Sequence, residues 1–229
     1  MGTGKITLGT TEEEDWINNW KAFFKPFRLD GNIVIKPTWE TLADQKDDDI
    51  VIEIDPGTAF GSGSHETTKL CISQLKKYIK PDTELLDVGT GSGILSIIGL
   101  KLGARHAMAT DIDPNAIRAT EENFAINGVA GQAEVHRVNI LDETEAREFY
   151  ENNHGKRYDV IVAHILADVI IPLSGIVTPL LTDDGVFITS GIINTMEEAV
   201  KEAMLANNFE ILEIHHMKDW VSITAKPKK

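Results

Sequence analysis

The sequence predicts an α/β domain: a doubly wound, mostly parallel sheet of seven strands with an antiparallel edge strand. Three observations predict it. From Thr67 onward, runs rich in Val, Ile and Leu alternate with helical stretches, the rhythm of a parallel sheet covered on both faces. A glycine-rich turn, LLDVGTGSGIL (Leu85 to Leu95), joins one such strand to a helix. Two closing runs without a helix between them, FEILEIHHM and WVSITAKP, supply the antiparallel pair.

The elements follow in order. Residues 1–30 read as a linker and an N-terminal helix. Trp16, Trp20, Phe23 and Phe24 recur there at helical spacing, and Glu12 to Asp15 suit a helix N-terminus. Such an aromatic stripe packs on the domain that follows, residues 31–229. NIVIKPTWE and DIVIEIDPG are two short strands, ended by Pro37 and Pro56. Thr67 to Ile79 is a helix, ELLDVG a buried strand, Ile94 to Leu102 a helix, and HAMATDID the next strand. PNAIRATEENFAING is a helix with Asp113 at its cap, Pro114 in its first turn and Gly128 past its end. AEVHRVN and YDVIVAHIL are strands, and PLSGIVTPLL (172–181) is a helix broken late by Pro179. GVFITSG is a strand and MEEAVKEAMLANN a helix, before the closing pair.

The bulk numbers exclude several classes. A length of 229 residues fits one large α/β domain or a domain with a small appendage. The net charge of −14 argues against direct nucleic-acid binding, which needs a basic surface. No apolar run approaches the roughly 18 residues of a membrane span. Met1 to Thr11 holds no apolar signal segment. The single cysteine, Cys71, excludes an internal disulfide and a cysteine-cluster metal site. Together these point to the cytoplasm.

The chemistry concentrates in two loops. In the turn after Val88, Gly89, Gly91 and Gly93 let a ligand approach the backbone, and the helix from Ile94 offers free N–H groups. A nicotinamide loop reads G-x-G-x-x-G; here the third glycine comes one residue early and Ile94 takes its place. Asp87, an acid inside the strand, is also foreign to such a loop. Asp111 lies 22 residues after Gly89, the spacing at which an acid accepts hydrogen bonds from ribose hydroxyls. Asp113 reads as a cap. The other loop, DPGTAFGSGSHETT, holds Phe60, His65 and Thr68 just ahead of a helix. Two glycine loops so close together suggest a ligand held from both sides.

The glycine loop with Asp111 resembles the class I S-adenosylmethionine-dependent methyltransferases, whose sheet is Rossmann-like. The resemblance implies S-adenosylmethionine as cofactor, with Gly89 and Gly91 near its methionine part, Asp111 at its ribose, Asp87 also among the cofactor-binding residues, and no metal. DPGTAFGSGSHETT narrows the match: it is similar to the ribosomal protein L-eleven methyltransferase family, which methylates amino groups of a large-subunit ribosomal protein. IVIKPTWE, VIVAHILADVIIPL, SGII and DWVSITAKP carry the likeness from about Asp15 to the end. The resemblance implies that the first loop covers the cofactor from the opposite side, with Phe60 against it and Thr68 bonded to it. Phe60 is alternatively a core residue. His65 and Glu66 are an acid–base pair or, more simply, a helix start. Asn139, at the end of the third strand, lies near adenine or forms a turn.

The family has Asn where this chain has His164, before ILA. At that place the side chain faces the methyl group and the incoming amine, so His164 is the candidate catalytic residue and a cofactor contact; its alternative is a structural histidine at a strand end. A lysine amine, with a free pKa of about 10.4, must lose a proton before it attacks, and a histidine accepts one only when neutral. The family also has a separate N-terminal domain that recognises the ribosomal protein. This chain begins where the linker to it would lie, so cofactor binding is expected to survive and substrate capture to weaken. Two other readings stay open: a methyltransferase of the same fold acting on another protein or a small amine, and a silent cofactor-binding module.

Overall fold

The computed structural model describes residues 24–29, 31–55 and 63–228. The N-terminal helix with Trp16, Trp20 and Phe23, the strand end at Pro56 and the loop residue Phe60 lie outside them.

The first part is a three-stranded sheet. β1 (Phe27–Arg28) runs antiparallel to β2 (Ile33–Pro37), and β2 runs parallel to β3 (Ile50–Ile54). Ile33, Ile35, Ile52 and Ile54 are fully buried. Helix α1 (Glu66–Tyr78) follows. β4 (Glu84–Val88), α2 (Ile94–Lys101), β5 (His106–Asp111), α3 (Pro114–Ile126) and β6 (Ala133–Arg137) alternate next. Then come α4 (Glu143–Asn152), β7 (Tyr158–His164), α5 (Ala167–Ser174), β8 (Leu181–Ile193), α6 (Glu197–Ala206), β9 (Phe209–Met217) and β10 (Trp220–Pro227).

The main sheet has the order β6-β5-β4-β7-β8-β10-β9. Neighbours from β6 to β8 are parallel, and β10 runs antiparallel to both β8 and β9. Adjacent residues of β4 serve opposite faces, as a period of two demands: Leu85 packs with Ile97, Ile98 and Val162, and Leu86 with Met108, Ile161 and Phe187. The strand order reverses between β4 and β7, where chains leave the sheet in opposite directions and open a crevice beyond the strand ends.

The expected helix over 172–181 is displaced. The helix runs earlier, over Ala167–Ser174, with Pro172 inside it and Gly175 at its end; Pro179 opens a separate 3₁₀ turn over Thr178–Leu180. Proline favours a first turn, which is why Pro172 reads as a start; here the burial of Ala167, Ile170 and Leu173 sets the helix instead. β8 is also longer than GVFITSG, and a 3₁₀ turn (Asn194–Met196) takes the place of the first residue of the following helix. Helix α4 has no counterpart in the sequence reading, although its signal is present: Asp142 caps it, accepting from the backbone N–H groups of Thr144 and Glu145.

Candidate active site

A cavity of about 510 Å³ opens where β4, β5 and β7 end, within the range of small-molecule sites. Its floor is the glycine turn, Val88 to Gly91. One wall is Asp111, Ile112 and the segment Val138 to Leu141, and the other is His164 to Leu166 with Val169. Ile112 and Leu166 are more than 60% exposed, an apolar lip of large side chains at the mouth.

The turn has the backbone the sequence demands. Gly89, Gly91 and Gly93 all sit at positive φ, between 59° and 81°, a region costly for side chains with a Cβ. At Gly89 the protein itself sets the requirement, because an added Cβ would lie 2.4 Å from Cγ2 of Ile165. The Gly89 and Thr90 N–H groups donate to the Thr110 carbonyl, at 2.8 and 3.0 Å. Those bonds tie the turn to β5 and bring Asp111 beside it.

Asp111 is fixed from two directions. Its Oδ2 accepts from the Gly91 N–H at 2.9 Å and its Oδ1 from the Asp113 N–H at 3.0 Å. A carboxylate oxygen has a second lone pair, so both oxygens keep acceptor capacity toward the cavity that Asp111 lines. Asp113 is the cap of α3, accepting from the Asn115 N–H at 2.9 Å. Asn139 lines the cavity, and its Oδ1 accepts from the Leu141 N–H at 3.1 Å. It is therefore both a turn former and a wall residue.

Asp87 lies behind the floor, 1% exposed and not among the lining residues. Its Oδ2 accepts from Thr90 Oγ1 and Ser96 Oγ, both at 2.8 Å, and from the Ser96 N–H at 3.2 Å. Its Oδ1 is buried with no partner. Burial pushes its carboxyl up to about 6, against the lowering effect of the Ser96 and Thr90 hydrogen bonds, with the Asp111 charge adding to the rise. Thr68 is buried too, and its Oγ1 has no partner; it stands outside the lining of this cavity.

His164 ends β7 and lines the cavity. Its Nε2 lies 2.6 Å from Thr67 Oγ1. Burial pushes the imidazole down to about 4, and the neighbouring His65 adds to the shift, so the ring is neutral at ordinary pH. His65 is the N-cap of α1 and accepts from the Thr67 N–H through Nδ1. Its Nε2 is 4.0 Å from Glu66, whose carboxylate pairs with Lys218.

The sequence reading missed Asn123. Fully buried on α3, it donates to the Ser92 carbonyl of the glycine turn at 2.9 Å. It also exchanges hydrogen bonds with the Asp55 backbone, at 3.0 and 3.2 Å. One turn further on, Asn127 does the same with the Glu53 backbone, at 2.9 and 2.7 Å. The two amides act as a strand for the edge of β3. Through Asn123 the Asp55 end of β3 is held against the glycine turn at Ser92. The only prior signal was a pair of asparagines one helical turn apart.

The arrangement suits a cationic nucleoside ligand. Asp111 can accept from a diol, the apolar walls can hold a flat ring, and the buried Asp87 carboxylate favours a positive charge nearby. No helix is long and apolar enough to cross a membrane, and no cluster able to hold a metal ion is found, both among the described residues.

The family model for "Ribosomal protein L11 methyltransferase (PrmA)" matches residues 1–228. A ribosomal protein L11 methyltransferase of Lachnoclostridium phytofermentans is 53% identical, over 99% of this chain and 71% of that protein. One from Lachnospira eligens is 49% identical, over 100% of this chain and 71% of that protein. The crystal structure of a ribosomal protein L11 methylase from Lactobacillus delbrueckii subsp. bulgaricus superposes with a TM-score of 0.79 at 32% identity, covering 90% of this chain and 100% of that one. The structure titled "Crystal structure of SMU.776, a putative methyltransferase complexed with SAH" shares the fold alone: TM-score 0.60, 12% identity, 72% of this chain and 50% of that one.

Proposed function

This chain belongs to the ribosomal protein L11 methyltransferase family, and on that premise we propose that its acceptor is a large-subunit ribosomal protein, methylated on amino groups, those of lysine side chains first. The chain is an S-adenosylmethionine-dependent methyltransferase. The observation that carries the site assignment is the cavity that puts Asp111, the glycine turn and His164 around one space.

The residues divide the work as follows. Asp111 accepts hydrogen bonds from the ribose hydroxyls with the second lone pair that each of its oxygens keeps. Gly89 and Gly91 give the methionine part access to the backbone. Asp87, an anion held in a dry site, complements positive charge on the cofactor. Thr68, whose buried hydroxyl has no partner, and Phe60, which lies outside the described residues, complete the proposed cofactor contacts. Asn139 stands at the adenine edge, above the apolar wall. Bound S-adenosylmethionine supplies a methyl group on a cationic sulfur, already activated toward a nucleophile. What remains for the protein is alignment and removal of the amine's proton. His164 serves there, and burial suits it by keeping it neutral.

In this reading residues 1–30 are a linker with its helix and residues 31–229 the methyltransferase domain, acting in the cytoplasm without a direct nucleic-acid or membrane partner. The test is methyl transfer from labelled cofactor to the isolated ribosomal protein and, separately, to free lysine. Label on lysine ε-amines of the protein is the expected result. Label on the small amine alone would replace the acceptor, and label on neither would leave a binding module.

A further inference from the structure

His65, Thr67 and His164 form one unbroken hydrogen-bonded chain. Thr67 Oγ1 stands 2.7 Å from His65 Nδ1 and 2.6 Å from His164 Nε2. Thr67 is 2% exposed, so water does not compete for its hydroxyl. His164 lines the cavity, while the His65 side chain is 41% exposed. The His65 ring is held edge-on to Trp220, with centroids 5.0 Å apart. The chain thus runs from the cavity wall to solvent through a single hydroxyl.

An outward relay requires one proton order: His65 with its proton on Nε2, the Thr67 hydroxyl donating to His65 Nδ1 at 2.7 Å, and His164 as the Nε2–H tautomer donating to Thr67 Oγ1 at 2.6 Å.

The geometry points to a proton exit: His164, Thr67 and His65 carry the proton of the acceptor ammonium from the cavity to solvent. This rests on the amine-methylation reading above. In the step, the ammonium N–H bond breaks and an N–H bond forms at His164 Nδ1. The His164 Nε2 proton passes to Thr67 Oγ1, and the Thr67 proton passes to His65 Nδ1. The His65 imidazolium then releases its Nε2 proton to water. The amine is left neutral with its electron pair, and charge has moved from the cavity to the surface. After product release water enters the cavity and takes the His164 Nδ1 proton, the Thr67 proton returns to His164 Nε2, the His65 Nδ1 proton returns to Thr67 Oγ1, and His65 Nε2 takes a proton from solvent, so each cycle leaves one proton in water.

The burial gradient gives the chain its direction. A ring that resists charge, as His164 does, relays a proton but does not store it. The exposed end accommodates the charge. Among the described residues, the charged groups that face it are Glu66, 4.0 Å from His65, and Lys218 on the β9–β10 turn, paired with Glu66. Asp111 shares the cavity with His164.

The experiment compares Thr67→Val with Thr67→Ser, using S-adenosylmethionine and the ribosomal protein. Thr67→Val keeps the shape and removes the hydroxyl. Its kcat near neutral pH is expected to fall by on the order of 100-fold, with KM and cofactor affinity held within about threefold, and Thr67→Ser to recover most of the loss. The defect is expected to shrink at about pH 9.5, where more amine arrives already deprotonated. Imidazole ¹⁵N shifts of the unliganded wild type should show His164 as the Nε2–H tautomer. An unchanged kcat in Thr67→Val, a defect of equal size at both pH values, or a His164 proton on Nδ1 would each overturn the exit. If the wild type methylates no amine at any pH, the function proposed above fails; the tautomer measurement then still decides the proton order of the chain.

Discussion

Strand β4 carries two buried carboxylates three residues apart, and the protein treats them in opposite ways. Glu84 opens the strand at the end of the sheet away from the cavity. Lys156 Nζ lies 2.6 Å from its Oε2, Arg105 pairs with its other oxygen, and His106 is 3.7 Å away. Burial would raise its carboxyl, but Lys156 and Arg105 outweigh that and hold it below the usual range. Asp87 nears the cavity end with only neutral donors around it and a value pushed up to about 6. An acid neutralised by the chain's own cations serves stability. An acid left short of a cation inside a site serves a ligand that brings one.

The largest test of that contrast is Asp87→Asn. It should weaken S-adenosylmethionine binding by about 100-fold, roughly 2.7 kcal/mol, as read by calorimetry. The unliganded variant should unfold at the same temperature as wild type or higher, since an amide needs no counter-charge. Unaltered affinity would break the comparison.

Glu84→Gln should do the reverse. Cofactor affinity stays within about twofold of wild type, while unfolding free energy drops by about 1–2 kcal/mol. The drop stays moderate because the Arg105 side chain is 64% exposed and recovers hydration. Denaturant melts measure it, and a loss of binding equal to that of Asp87→Asn would erase the distinction.

The smallest effect lies in the pH dependence of unliganded stability. The folded value of Asp87 is above its ordinary 3.8. Its contribution is therefore full below about 3.8 and is lost as pH rises through about 6. Glu84 is lowered from 4.5, so its contribution is full above that and is lost as pH falls. Between about pH 4 and 6, wild type should lose on the order of 1 kcal/mol relative to Asp87→Asn. The gap between wild type and Glu84→Gln should instead narrow below about pH 4.5. Melting curves of the three proteins across that range sharpen or remove the contrast.

Much of the site was legible beforehand because its signals are local. Positive φ at Gly89, Gly91 and Gly93, the cap at Asp113 and the place of Asp111 at a strand end all follow from residues within one turn of each other. Helix α5 was misplaced because two local rules competed: Pro172 marks a helix start by propensity, while burial of Ile170 and Leu173 requires the helix around it. Helix α4 was missed because only Phe149 in it is buried and most of its other residues are charged or polar, so the stretch reads as a surface loop.

The sequence by itself determined the alternating α/β order, the glycine turn with its acid partner, and the family, because hydrophobic period, capping and motif are properties of neighbouring residues. Only the tertiary structure decided which side chains meet across the loops. Asn123 reaches the Asp55 backbone over 68 positions and His164 reaches Thr67 over 97. Glu84 meets Lys156 and Arg105 only because β4 sits between β5 and β7. Those contacts depend on the path of the packed chain through space, and burial, which sets the protonation of Asp87 and His164, exists only once the chain has packed.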